Sequence, residues 1–279
     1  MEVLVAKHAG FCFGVERAID IVKDAAEKHE KVVTFGPIIH NPQVVSELAK
    51  KGVCSIKNLD DIKPDMAVII RSHGIEKQIS EALEEKSHSV IDASCPFVRK
   101  AQKAAEELSD KCGYVVILGE SDHPEVKGII SYIKSDYTVI ESIDDIDKLP
   151  HLDSCGFLAQ TTQNNRLFSE IAEKLKDKCG NLVAAKTICN ATDRRQEAAL
   201  EVASKAEVMI VIGGKNSANT TRLYRLCKDI CPKTYHVETL SELDKEFFIN
   251  AATVGITAGA STPVELVAKV REYILEVAG

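Results

Sequence analysis

The chain has no tryptophan, and aromatic residues fill only 5% of its 279 positions. That excludes an aromatic platform on which bases could stack. It has no basic run and a formal net charge of −7, which excludes nucleic acid as the main partner. No apolar stretch approaches the roughly 20 residues needed to cross a bilayer. The first apolar run, residues 3–6, is too short for a secretory signal. The expectation is a cytoplasmic protein with neither membrane nor nucleic acid as partner. Close CxxC spacing of the kind found in zinc knuckles does not occur. The nine cysteines are an odd number, which argues against a disulfide framework and towards metal or thiol chemistry. The 45% hydrophobic content is ordinary and supplies a substantial core.

Three of the cysteines share a setting. Val5-Ala-Lys-His-Ala-Gly-Phe-Cys-Phe-Gly-Val-Glu-Arg-Ala18 carries Cys12. Val90-Ile-Asp-Ala-Ser-Cys-Pro-Phe-Val-Arg-Lys-Ala101 carries Cys95. Ala184-Ala-Lys-Thr-Ile-Cys-Asn-Ala-Thr-Asp-Arg-Arg195 carries Cys189. In each, a short β-like run ends at the cysteine and an arginine (Arg17, Arg99, Arg194) follows about one helical turn later. Cys12 to Gly36, Cys95 to Gly119 and Cys189 to Gly213 are all 24 residues. Four residues after those glycines come His40, His123 and Ser217. A further polar set, His73, Thr161 and Ser261, follows the next apolar runs. The period of 83 to 94 residues is too long for a solenoid unit and predicts three small α/β lobes of one plan.

Apolar runs at residues 2–6, 32–35, 66–71, 114–118, 137–140, 155–159, 208–212 and 253–258 read as strands. They alternate with helical patterns at 14–28, 43–50, 76–86, 97–111, 126–133, 167–176, 193–204, 221–229 and 263–277. This alternation predicts parallel sheets. The lobes are expected at 13–95, 96–189 and 190–279, with residues 1–12 supplying the closing strand that the third otherwise lacks.

Ligands of open α/β sheets bind beyond the carboxyl ends of the strands, where all of these polar positions fall. A free cysteine is usually a buried hydrophobe, and Cys54, Cys112, Cys155, Cys179, Cys227 and Cys231 read that way. A cysteine at a helix N-terminus instead meets the positive end of the helix dipole. Three such thiolates suit either a [4Fe–4S] cluster with one iron open or a zinc site with a fourth ligand. His40, His73 and His123 are able to pair with phosphate and donate hydrogen bonds to it. Gly213-Gly-Lys-Asn-Ser-Ala-Asn-Thr220 is no Walker motif, since Lys215 is not followed by Ser or Thr. It still offers hydroxyl, amide and backbone donors to an anion at a helix N-terminus. Glu125 is the carboxylate set beside a site histidine and reads as a proton donor.

These segments together resemble the LytB family of 4-hydroxy-3-methylbut-2-enyl diphosphate reductases. The resemblance spans the chain. Its marks are Ala9-Gly-Phe-Cys-Phe-Gly-Val, Gly36-Pro-Ile-Ile-His-Asn-Pro, Arg71-Ser-His-Gly, Asp92-Ala-Ser-Cys-Pro, His123-Pro-Glu, Ala159-Gln-Thr-Thr, Lys186-Thr-Ile-Cys-Asn-Ala-Thr, Gly214-Lys-Asn-Ser-Ala-Asn-Thr and Thr257-Ala-Gly-Ala-Ser. It implies a trefoil of three α/β lobes around a [4Fe–4S] cluster on Cys12, Cys95 and Cys189. The open iron would take the substrate's C4 hydroxyl. It further implies that Glu125 delivers protons and that Thr161 helps hold the hydroxyl. His40, His73, His123, Ser217, Asn219 and Ser261 would grip the diphosphate. Ala218 stands where many members have Ser, so only its backbone N–H would remain. The implied products are isopentenyl and dimethylallyl diphosphates, with electrons from a low-potential donor such as ferredoxin or flavodoxin. The residues alone leave an iron–sulfur hydro-lyase without net reduction, an iron–sulfur sensor and a zinc protein as alternatives.

Overall fold

A computed structural model describes residues 1–278. In chain order it runs β1 (Glu2–Val5), α1 (Phe13–Lys28), β2 (Val32–Phe35), α2 (Pro42–Lys50), β3 (Cys54–Ile56), β4 (Ala67–Ile70), α3 (Lys77–Lys86) and β5 (Ser89–Asp92). It continues with α4 (Pro96–Cys112), β6 (Tyr114–Leu118), α5 (Pro124–Ile130), β7 (Asp136–Ile140), β8 (Leu152–Ala159), α6 (Asn165–Leu175) and β9 (Cys179–Ala184). The last part holds α7 (Asn190–Ala203), β10 (Val208–Ile212), α8 (Ala218–Ile230), β11 (Thr234–Val237), β12 (Thr253–Ala258) and α9 (Val264–Ala278).

The strands form three four-stranded sheets, ordered β3-β2-β4-β5, β7-β6-β8-β9 and β11-β10-β12-β1. Every pairing among them is parallel. The fold class expected from the alternating pattern is therefore present. Glu2–Val5 pairs with Thr253–Ile256, so the N-terminal strand is the fourth strand of the third sheet. Two short edge strands, β3 and β11, were not expected from the sequence. Helices cover these sheets, and the central strands β2, β4 and β10 are buried along their whole length. Their Val- and Ile-rich runs follow from that two-sided burial, each buried side chain being worth about 1.5–3 kcal/mol.

By contact, the chain divides into two units. One comprises Met1–Glu16, Ile39–Ser46 and the chain from Asn190 on, and contains the third sheet. The other comprises Arg17–Ile38 and Glu47–Cys189, and contains the first two sheets.

The sheets repeat in detail. The glycine after each first central strand donates its N–H to the last carbonyl of the outer edge strand: Gly36 to Ile56 at 2.7 Å, Gly119 to Ile140 at 2.9 Å and Gly213 to Val237 at 2.9 Å. Three residues before the end of the second central strand stands a small residue, Ala67, Gly156 or Gly255. A Cβ on Gly156 would lie 2.8 Å from Leu108 Cβ of α4, and one on Gly255 would lie 2.2 Å from Met209 Sδ and 2.6 Å from Val202 Cγ1 of α7. These two glycines let α4 and α7, the helices that follow Cys95 and Cys189, lie close on their sheets. Gly255→Val is expected to overpack this contact and cost about 1–3 kcal/mol, read as a lowered midpoint in urea unfolding.

Candidate active site

Each of the three cysteines is the residue immediately before a helix: Cys12 before α1, Cys95 before α4 and Cys189 before α7. None of them ends a strand, as the sequence had suggested. β1, β5 and β9 stop at Val5, Asp92 and Ala184, respectively seven, three and five residues earlier. The cysteine amides instead turn to a loop. Cys12 N–H donates to Ala260 O at 3.2 Å, Cys95 to Ser72 O at 2.9 Å and Cys189 to Thr161 O at 2.9 Å. In every case the acceptor is the second residue past a second central strand, which ends at Ala258, Ile70 or Ala159. Thr161 thus matches Ser72 and Ala260, and the residue matching His73 and Ser261 is Thr162 rather than Thr161.

Arginines fix the cysteine loops. Arg17 Nη1 donates to Ser94 O at 3.1 Å. Arg99 donates through Nε and Nη2 to Asp92 Oδ2 at 2.9 and 2.6 Å, and Asp92 Oδ1 accepts from Ser94 N–H at 2.8 Å. Burial raises the Asp92 carboxyl, but its hydrogen bonds from Ser94 and Arg99 outweigh that and hold it below the usual carboxylate value. At the third cysteine the structural arginine is Arg195, 2% exposed, with Nη2 on Gly10 O at 2.6 Å. Arg194, the residue singled out from the sequence, is exposed.

Glu125 and Thr161, 36 residues apart in sequence, meet in the second unit. The Thr161 N–H donates to Glu125 Oε1 at 2.6 Å and its hydroxyl to Oε2 at 3.0 Å. Glu125 is 2% exposed and Thr161 5%. Glu125 follows Pro124 in the first turn of α5, which His123 caps: its Nδ1 accepts the Glu125 N–H at 3.1 Å. That bond leaves the ring proton on Nε2. The His73 ring lies edge-on to His123, with centroids 5.7 Å apart. Ser72 N–H and Oγ both donate to Ile38 O, at 3.1 and 2.8 Å. Thr187, 4% exposed, bridges the end of β8: its Oγ1 accepts from Ala159 N–H at 3.0 Å and donates to Ala159 O at 2.5 Å.

The first unit gathers His40, the loop of residues 213–219, and Ser261. Gly213 takes φ 141°, and a Cβ there would lie 2.6 Å from Thr262 Oγ1 and 3.0 Å from Thr220 Oγ1, so only glycine fits. Ser217 caps α8 by accepting Thr220 N–H at 3.4 Å, which leaves its own hydrogen to donate. Ala218 is the first residue of α8. Asn219 Nδ2 is buried with no hydrogen-bond partner among the described residues. Lys215 faces the other way, with Nζ on Glu242 at 2.7 Å and its N–H on Glu238 Oε1 at 2.6 Å. The His40 carbonyl accepts Ser261 Oγ–H at 3.2 Å, and it would lie 3.0 Å from a Cβ on Gly214.

Sequence reasoning missed Asn41, Thr187, Arg195 and Glu238. Asn before Pro42 is a cap signal and could have marked Asn41. The others act on backbone groups far away in the chain and left no local sign.

Ser94 adjoins Cys95, is 3% exposed, and turns both its hydroxyl and its N–H to the Asp92 carboxylate. The three thiols are soft donors suited to iron or zinc. Among the described residues, no three His, Cys, Asp or Glu side chains form a ready metal-ligand group. A shared metal for the three thiols is therefore a proposal, carried by their repeated setting.

The fold and these loops define a parallel α/β protein whose strand ends present thiols, a buried acid and donors of the kind that hold anions. The family model described as LytB protein matches residues 3–275, and the chain belongs to that family. The chain is 46% identical over 275 residues to the 4-hydroxy-3-methylbut-2-enyl diphosphate reductase of Geotalea uraniireducens, covering 98% of this chain and 97% of that one. To the protein of the same name from Trichlorobacter lovleyi it is 45% identical over 278 residues, covering 99% of each. A solved (E)-4-hydroxy-3-methyl-but-2-enyl diphosphate reductase, described as the terminal enzyme of the non-mevalonate pathway, superposes with a TM-score of 0.73 at 42% identity, covering 99% and 100% of the two chains. The E-1-hydroxy-2-methyl-but-2-enyl-4-diphosphate reductase from Plasmodium falciparum gives a TM-score of 0.88 at 28% identity, covering 98% and 87%.

Of the other six cysteines, Cys112, Cys155, Cys179, Cys227 and Cys231 are core, whereas Cys54, read from the sequence as a buried hydrophobe, is exposed because it starts the edge strand β3. Burial, then the Cys179 thiol, pushes the Cys155 thiol far up, and burial pushes Cys227 up to about 12. At pH 8 both lie well below their pKa and carry almost no thiolate. Brief iodoacetamide treatment of the native protein is expected to label exposed Cys54 and to spare Cys155 and Cys227, as read by peptide mass spectrometry.

Proposed function

We infer that this chain reduces (E)-4-hydroxy-3-methylbut-2-enyl diphosphate to isopentenyl and dimethylallyl diphosphates, the last step of the non-mevalonate isoprenoid route. The observation that carries this reading is the line Glu125–Thr161–Cys189. One backbone unit presents a hydroxyl and N–H to a buried carboxylate and its carbonyl to a cysteine amide. An acid and a thiol are thereby joined through a single residue.

Cys12, Cys95 and Cys189 would hold a [4Fe–4S] cluster with one iron open. When bound, the cluster supplies the electrons and a Lewis-acidic position for the departing hydroxyl. Two electrons and two protons convert the substrate to product and water. Thr161 Oγ donates its hydrogen to Glu125, and the same oxygen would accept the substrate's hydroxyl hydrogen. Glu125, when protonated, returns a proton along the same bond as the hydroxyl leaves. The Ser217 hydroxyl, Asn219 Nδ2 and the Ala218 N–H are donors in the first unit, and with His40, His73, His123 and Ser261 they would grip the diphosphate. That grip supplies binding energy remote from the reacting carbon. A division into three lobes, 13–95, 96–189 and 190–279 with 1–12, belongs to the same reading and is supported by the three four-stranded sheets. A low-potential donor such as ferredoxin or flavodoxin would deliver the electrons. No helix among the described residues is long and apolar enough to cross a membrane, and a cytoplasmic location fits the small anionic substrate.

Anaerobically purified protein should contain iron and sulfide and form both products only when a reductant is supplied. Dehydration without reductant would replace this reading with a hydro-lyase. Glu125→Gln should keep the cluster spectrum and slow turnover about 100-fold or more. Cys95→Ser should lose the cluster. His40→Ala should weaken substrate affinity about tenfold, measured as KM.

A further inference from the structure

The donors assigned to the diphosphate in the first unit come from three separate stretches: the loop at His40, the loop of residues 213–219, and Ser261. Their usefulness depends on spacing, because each must meet a phosphate oxygen at hydrogen-bond distance. What sets that spacing is a closed ring of bonds around Asn41. Its Nδ2 donates to Ser261 O at 2.8 Å. Ser261 Oγ donates back to the His40 carbonyl at 3.2 Å. The same carbonyl abuts Gly214, where a Cβ would intrude to 3.0 Å. Asn41 is 5% exposed, and its other amide atom is also engaged: Oδ1 accepts from Gln43 N–H at 3.0 Å and Val44 N–H at 3.2 Å, capping α2.

We propose that Asn41 is a positioning residue of the diphosphate site. Through one amide it fixes the Ser261 loop against the His40 loop and anchors both to the start of α2. Both ends of its side chain are used. The oxygen serves helix capping, which any short polar side chain can supply. The nitrogen serves the cross-link, which a hydroxyl or carboxylate at this position cannot reproduce. Asn41 need not touch the ligand. The effect falls on binding, since neither bonding partner belongs to the Glu125–Thr161 pair.

The inference rests on the diphosphate reading above, and the test separates the two. Asn41→Ser keeps a capping oxygen and loses the amide donor, whereas Asn41→Ala loses both. Binding of inorganic diphosphate to the anaerobic holoenzyme is measured by calorimetry, alongside KM, kcat, melting temperature and cluster absorption. Both variants are expected to bind inorganic diphosphate about tenfold more weakly, with KM raised similarly and kcat and absorption close to those of the parent. Only Asn41→Ala is expected to melt earlier. Parent-like binding by Asn41→Ser would overturn the proposal and leave Asn41 as a helix cap. Weakening of kcat rather than KM would also overturn it. If the parent fails to bind inorganic diphosphate and His40→Ala leaves substrate affinity unchanged, the diphosphate reading itself fails.

Discussion

A backbone hydrogen bond made three times governs this structure: the amide of Cys12, Cys95 or Cys189 to a carbonyl two residues past a second central strand. Because donor and acceptor are both main chain, the thiol's location follows from the sheet rather than from side-chain packing. Whatever the acceptor residue and its successor carry is then held at a set distance from sulfur. This is why Ser72 and His73, Thr161 and Thr162, and Ala260 and Ser261 occupy the places where chemistry is concentrated. Parallel sheets favour the arrangement, since their strand ends open onto one edge and their helices start there.

The repeats have diverged within that frame. Ser72 and Thr161 present the same two donors, N–H and hydroxyl, from matching positions. Ser72 directs both to the Ile38 carbonyl, and Thr161 directs both to the Glu125 carboxylate. One pair secures a turn, and the other satisfies an acid that is almost fully out of water. An ionised carboxylate at such depth needs donors of this quality. In the third sheet, Ala260 has no hydroxyl and the polar function passes to Ser261. A single backbone plan thus yields a structural version, an acid-bearing version and one that the proposed function assigns to an anion.

Much of this was readable from the chain itself. Runs such as Val208–Ile212 and the glycines 24 residues after each cysteine mark strand ends, and Pro96 marks a helix start. The short edge strands β3 and β11 were not readable. Cys54–Ile56 is mostly exposed and carries no apolar period, so only its neighbour β2 makes it a strand. Arg195 was mistaken for Arg194 because adjacent helical residues point about 100° apart, and burial alone chooses between them. Asn41 to Ser261 and Thr187 to Ala159 are contacts across 220 and 28 residues. The spacing of residue types contains no trace of them.

The pairing of Glu2–Val5 with Thr253–Ile256 has a consequence for biogenesis. β1 is made long before β12, and its backbone groups find partners only once that distant strand exists. Contacts of such long range close slowly, and an unpaired strand edge is prone to mispairing meanwhile. The two sheets between residues 32 and 184 contain no strand from either terminus and are free to assemble during translation. The setting of Cys12 is therefore completed only when residues 253–260 are present, after those of Cys95 and Cys189, although Cys12 is made before either.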